Sequence, residues 1–191
     1  MKKAQNTRSV PFRRKREGRT DYKKRLAMLK SGKARLVVRK TLKNIYAQII
    51  KYDAKGDIII ASACSEQLRK LGWKMNASNV SAAYLVGYMV GKNAQEKKVS
   101  EAILDLGLQT TFGKSKLYAV LKGAVDAGLK VPYSDKVLPS QDRIEGKHIE
   151  IYANLLKEDK VKYEKQFSKY LKQNVKPEEA SKHFEEIKKK L

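Results

Sequence analysis

Two sets of residues in this chain have types and spacings that could do chemistry. One is a scatter of carboxylates through the middle of the sequence: Asp53, Asp57, Glu66, Asp105 and Asp126. Metal-dependent phosphoryl chemistry needs such groups clustered. Asp53 and Asp57 flank a turn and Asp126 ends a helical pattern, positions where a carboxylate usually serves nearby backbone. Asp105 differs, because a carboxylate inside an apolar strand requires a partner. A metal-dependent RNA-processing enzyme would have to bring Asp105 together with Asp53, Asp57 or Glu66. The segment Gly107 to Ser115, GLQTTFGKS, sits between a strand pattern and a helix pattern, where a phosphate-binding P-loop would lie. Its two glycines are separated by Leu108 to Phe112, one residue more than the P-loop allows, and the phosphate nest depends on that length. The loop is expected instead to present Thr110, Thr111, Lys114 and Lys116 to a phosphate backbone, or to stand in solvent.

The second set is cationic and aromatic. Arg8, Phe12, Arg13, Arg14, Lys15, Arg16, Arg19, Tyr22, Lys23 and Arg25 fall close together, followed by Arg39, Lys40, Lys43 and Tyr46. Arginine pairs with phosphate through two parallel N–H bonds and stacks on bases, and aromatic rings take splayed RNA bases. These residues, with Lys114 and Lys116, are the candidate RNA-binding set. Of 191 residues 43 are Lys or Arg and 20 are Asp or Glu, a net charge of +23. Residues 1–43 hold 17 cations and only two acids, whereas residues 131–191 mix 14 cations with 11 acids. A solvated helix face mixes signs. An unmixed run of this size marks a segment that meets a polyanion. RNA is favoured over duplex DNA because no zinc finger, basic zipper or clear helix-turn-helix is present. A general nucleic-acid coat protein would share the charge but not the specificity.

Other chemistries are excluded by count. One cysteine, Cys64, permits no intramolecular disulfide. With only His148 and His183 beside it, a protein-only zinc site is improbable, and no cofactor is implied. Cys64 is expected to be a small buried hydrophobe, and His148 a packed helix residue. Trp73 is expected to anchor a loop, and Tyr84 and Tyr88 to be core. No secretory signal or membrane-length apolar stretch is evident, so a cytoplasmic protein is expected.

The elements that must position these residues follow from periodicity. Apolar Tyr22, Leu26 and Leu29 recur at helical spacing from about Asp21 to Leu29, with Lys23, Lys24 and Arg25 on the outer side, and Ser31-Gly32 ends the helix. Residues 35–40, 45–52 and 57–63 are short and β-branched, joined by turns, and predict an antiparallel meander. In the second of these, Ile45, Ala47 and Ile49 share one face and Tyr46, Gln48 and Ile50 the other. Residues 79–95 predict a helix capped by Ser78 or Asn79, with small residues allowing close approach to a sheet. Residues 102–106 predict a fourth strand and 116–127 a second helix. The order β-β-β-α-β-α predicts an α/β sandwich with a mixed sheet. Past Val131-Pro132, helices are expected over 141–157 (stripe Ile144, His148, Ile151, Leu155), over 159–173 (Val161, Phe167, Leu171) and from Pro177 onward. The expected organisation is a basic arm (1–30), an α/β RNA-binding domain (31–132) and a helical C-terminal extension (133–191).

Several of these segments also match a known family in order. Phe12-Arg13-Arg14-Lys15-Arg16 and Gly18-Arg19-Thr20-Asp21-Tyr22 resemble the opening of the L-eighteen family of large-subunit ribosomal proteins, in its archaeal and eukaryotic form. The resemblance continues through Arg35 to Lys40, Asn44-Ile45-Tyr46-Ala47-Gln48, Ile60-Ala61-Ser62-Ala63, Leu104-Asp105-Leu106-Gly107 and Gly123 to Leu129. It extends to Leu138-Pro139 and Arg143 to Ile149, covering nearly the whole chain; the loop 108–114 is one departure from it. What the resemblance implies is a ribonuclease-H-like topology without catalytic role. It also implies binding to 5S rRNA in the central protuberance, and contacts with large-subunit rRNA and with neighbouring ribosomal proteins, including the other 5S-binding protein.

Overall fold

Strand β1 (Ala34–Lys40) explains the layout, because its alternate residues face two different environments. Leu36 and Val38 are fully buried under helices, while Arg35, Val37 and Arg39 point to the opposite face. In the computed structural model, which describes residues 10–191, β1 is central in a four-stranded mixed sheet. Its neighbours are β2 (Ile45–Lys51), antiparallel, and β4 (Ala102–Asp105), parallel; β3 (Ile58–Cys64) pairs antiparallel with β2. The order β3-β2-β1-β4 is the expected α/β sandwich. Within β2, Ile45, Ala47 and Ile49 are buried and Tyr46 is exposed, as the alternation predicts.

Two helices cover one face. Helix α4 (Val80–Glu96) is capped by Asn79, whose Oδ1 accepts the Ala82 N–H at 2.7 Å. Helix α5 (Lys116–Asp126) packs closely against it. The small residues of α4 serve this helix pair rather than the sheet. A Cβ on Gly87 would stand 2.0 Å from Val120 O, and one on Gly123 would stand 2.1 Å from Tyr84 O. Only glycine permits backbones this close. Tyr84 closes the seam by donating its hydroxyl proton to Asp126 at 2.8 Å; burial, then this bond, raises its pKa far above the ordinary value. Trp73 is buried and anchors the loop before α4, as expected.

A short helix absent from the periodicity reading, α3 (Ser65–Lys70), follows β3 directly. Cys64 starts it. The Cys64 Sγ accepts the Glu66 N–H and the Gln67 Oε1 accepts the Cys64 N–H at 2.9 Å, so Cys64 is a half-buried cap and not a buried hydrophobe.

The C-terminal helices join the same core. The single helix expected over 141–157 is two, α6 (Gln141–Glu145) and α7 (Lys147–Leu156), broken at Gly146 with φ +91°. The break resets the helical phase. Ile144 is buried, but Ile151 and Leu155 of the expected stripe are 62% and 69% exposed, and Ala153 is buried in their place. In α8 (Lys160–Leu171) only Phe167 of the three expected contacts is buried. Tyr152, Tyr163 and Tyr170 surround its ring at 5.2–6.2 Å, while Val161 and Leu171 are exposed. A 3₁₀ turn at Pro177–Glu179 leads into α9 (Ala180–Lys190). Phe184 and Ile187 are buried in the main core, and the Phe184 ring lies 5.7 Å from that of Tyr84.

Candidate nucleic-acid interface

The second face of the sheet carries the charge. Residues 13–30 lie over its β1–β4 side as a one-turn helix α1 (Arg13–Arg16) and helix α2 (Tyr22–Leu29). Asp21 caps α2 by accepting the Lys23 and Lys24 N–H groups at 3.0 and 3.1 Å. The face of α2 turned to the body differs from the apolar stripe. Tyr22, Arg25, Met28 and Leu29 are half-buried, whereas Leu26 is 58% exposed. Arg25 points inward because Asp57 waits there.

From Arg25 a row of alternating charges crosses under the arm. Arg25 Nη2 donates to both Asp57 oxygens at 2.9 Å. Asp57 Oδ2 also accepts from Arg35 Nη2 at 2.6 Å, and the other nitrogen of Arg35, Nη1, donates to Asp105 Oδ2 at 2.9 Å. Asp105 Oδ1 then receives Arg39 Nη2 at 3.2 Å and the Gly107 N–H at 2.9 Å. Arg39 also donates to the Asp105 carbonyl at 2.7 Å. Gly107, at φ +61°, leaves room for that guanidinium, which stands 2.9 Å from where a Cβ would be. Arg35 and Asp105 are 3% and 4% exposed. Charges this deep are tolerated only because each is paired and hydrogen-bonded.

This arrangement decides between the chemistries raised by the carboxylates. Asp57 and Asp105 do come near each other, but Arg35 lies between them and takes an oxygen from each. Guanidinium groups occupy the positions that a metal ion would need. Asp57 is therefore an ion-pair partner of two arginines, not a residue serving its own turn. Asp53 does serve its turn, accepting the Lys55 N–H at 2.8 Å.

Between arm and sheet lies a cleft of about 800 Å³ whose rim includes Arg14, Arg19, Lys24 and Arg39. Its three carboxylates, Asp21, Asp57 and Asp105, are all engaged internally. The predicted residues sort into two groups. Phe12, Arg13, Arg14, Lys15, Arg16, Arg19, Lys23, Lys40 and Lys43 are exposed, and Tyr22 half-buried. The Phe12 ring lies 5.1 Å from that of Tyr22, Arg14 Nε donates to Thr20 at 2.9 Å, and Arg13 and Arg19 reach Glu17 at 3.7 and 3.3 Å. Tyr46 faces outward opposite Arg39 on the neighbouring strand. Arg25 and Arg39 are spent largely on the internal row. Lys116 is turned inward too, donating to Ser78 O and Oγ at 2.9 and 3.0 Å; burial chiefly, and then Lys40, lower its pKa. Lys114 is exposed at φ +60°. Arg8 lies outside the described residues. Arg35 escaped the sequence reading although it organises the row. Its signal is a pair of arginines two strand-turns apart, Arg35 and Arg39, on the face where Asp105 needs a partner.

Comparison with known proteins identifies the family. The family model described as ribosomal large subunit proteins 60S L5 and 50S L18 matches residues 7–101 and 88–134. A protein of Methanococcus maripaludis named large ribosomal subunit protein uL18 is 48% identical over 182 residues, covering 95% of this chain and 94% of that one. The match spans the arm, both faces of the sheet and the C-terminal helices, and the chain belongs to the family of ribosomal large subunit proteins 60S L5 and 50S L18.

Proposed function

We propose that this chain, a structural constituent of the large ribosomal subunit and not an enzyme, binds 5S rRNA through the arm and the adjoining sheet face. In this role it attaches 5S rRNA to the large-subunit rRNA in the central protuberance, beside neighbouring ribosomal proteins that include the other 5S-binding protein. The observation that carries the reading is the division of labour among the cations. Arg25, Arg35 and Arg39 neutralise Asp57 and Asp105, the carboxylates on the sheet side of the cleft, and they fix α2 against β1. Arg13, Arg14, Lys15, Arg16 and Arg19 are left on the outside, close to the tilted Phe12–Tyr22 pair and to Tyr46. The outer cations contact phosphates; the aromatic rings stack on unpaired bases or pack against ribose.

The test is competition binding to 5S rRNA against tRNA and duplex DNA at near-physiological salt. A preference of about 10³ or more is expected, on the scale separating specific from non-specific binding. Deleting residues 1–30 should abolish it and flatten the salt dependence. Equal affinity for all three nucleic acids would reduce the protein to a general polycation.

A further inference from the structure

A second cationic surface lies away from the arm, where the body meets the C-terminal helices. Lys43 and Leu42 reach it from the β1–β2 turn, Arg69 from α3, Lys74 from the loop before α4, and Lys169 and Tyr170 from α8. Together they line a groove of about 380 Å³, and an adjoining hollow of about 410 Å³ shares Arg69 and Lys74. Each hollow is of a size that holds a nucleotide-scale group, within the range of about 300–1,000 Å³ for ligand sites.

Three features set this groove apart from an ordinary solvated face. First, no carboxylate lines it. Second, among the described residues none of its four cations has an ion-pair partner, whereas Lys147, Lys157 and Lys162 on the same C-terminal helices each lie within 3.3 Å of an acid. Third, the four come from three separate stretches of chain, so their convergence is made by the tertiary fold and not by a charged helix face. Four cations held around one concavity repel one another and accumulate counterions, and a polyanion entering it releases them. The walls are apolar as well as charged. Leu42 is 98% exposed at the lip, and Tyr170 is half-buried, held edge-on against Phe167 at 5.9 Å. A rigid ring beside free cations suits a base and its flanking phosphates.

We propose that this groove is a second RNA site, which takes a single strand of rRNA with an unpaired base against Tyr170 and Leu42 and its phosphates on Lys43, Arg69, Lys74 and Lys169. The proposal rests on the ribosomal reading above. It adds a contact at the junction of the body and the C-terminal helices, so that one protein bridges two stretches of RNA. The strand belongs either to 5S rRNA or to the large-subunit rRNA; the chemistry is the same.

The test uses the full chain carrying Lys43→Gln, Arg69→Gln, Lys74→Gln and Lys169→Gln, all exposed side chains whose loss leaves the core intact. A control removes the same charge elsewhere, at Lys97, Lys98, Lys160 and Lys182. Salt-dependent affinity is measured with a 5S rRNA transcript and with a transcript of the central-protuberance region of the large-subunit rRNA. The groove variant should reduce the magnitude of the log–log salt slope by about 3 with one or both, at about 0.7–0.9 per contact, and the control should not. A change with one transcript alone names the source of the strand. Unchanged slopes with both transcripts overturn the proposal, as would a groove variant that binds both normally but fails to capture a ribosomal protein. A parallel variant with Arg13, Arg14, Lys15 and Arg16 replaced by Gln reports on the arm independently, so loss of the 5S preference and loss of the groove contact are separable results.

Discussion

The two faces of one sheet are built by opposite means. Toward α4 and α5, β1 presents Leu36 and Val38 to a core sealed by glycine contacts and a single buried tyrosine hydroxyl. Toward the arm, the same strand presents Arg35 and Arg39 to a file of carboxylates under a half-open cleft. The apolar face is held by close packing and the non-directional burial of apolar surface, which ionic screening does not weaken. The charged face is held by geometry: each guanidinium must meet each carboxylate in register or both are left stranded. One strand thus fixes a shape on one side and, on the other, uses up the negative charge that would spoil an anion-binding surface.

The contrast is broken most severely at Arg35. Arg35→Met leaves Asp105 buried with only Arg39 and a backbone N–H, and should cost roughly 3–5 kcal/mol in urea unfolding. Adding Asp105→Leu should restore a good part of it, because an apolar pair replaces an ion pair with little loss. If the double variant is no better than the single, the row is not the source of the cost. On the apolar face, Gly123→Ala forces α4 and α5 apart and should destabilise by about 1–3 kcal/mol, without altering the salt dependence of RNA binding. An unchanged urea midpoint would mean the helices are not held at glycine distance. The smallest effect belongs to the arm's latch. Arg25→Gln releases the arm from Asp57, which keeps Arg35, and should cost about 1 kcal/mol, while amide exchange in α2 quickens and exchange in α4 stays the same. Equal quickening in both helices would show that arm and body open as one unit.

Much of the architecture was legible before any coordinates. The β-branched runs located β1 to β3, the small-residue helix located α4, and the isolated Asp105 announced that it had a partner. What escaped had physical reasons. Helix α3 has six residues, too few to show a period, and its start is signalled by a cysteine, an uncommon cap. A smooth apolar stripe through 144, 148, 151 and 155 implied one helix, but the left-handed turn at Gly146 rotates everything after it. The salt-bridge row was invisible because Asp105 lies 70 residues from Arg35, and local periodicity holds no record of such pairings. The assignment of α2's inner face failed for the same reason. Arg25 is drawn inward by a carboxylate 32 residues away, and hydrophobicity alone placed Leu26 there instead.

The placement of α9 has a consequence for how the chain reaches this state during synthesis. Phe184 and Ile187 fill the same core as Leu36 and Tyr84, Lys92 donates to the carbonyl of Leu191 at 2.7 Å, and His183 accepts the Lys74 N–H at 3.2 Å. The meander and its neighbouring helices can assemble early from local contacts, but one flank of α4 stays uncovered until residues 180–191 have been added. Contacts closing more than a hundred residues of chain come late and slowly. A nascent chain therefore carries an exposed apolar flank and an unneutralised basic arm at the same time, the condition in which partly folded proteins associate wrongly. Completion of the last helix ends the first of these exposures, and the RNA ends the second.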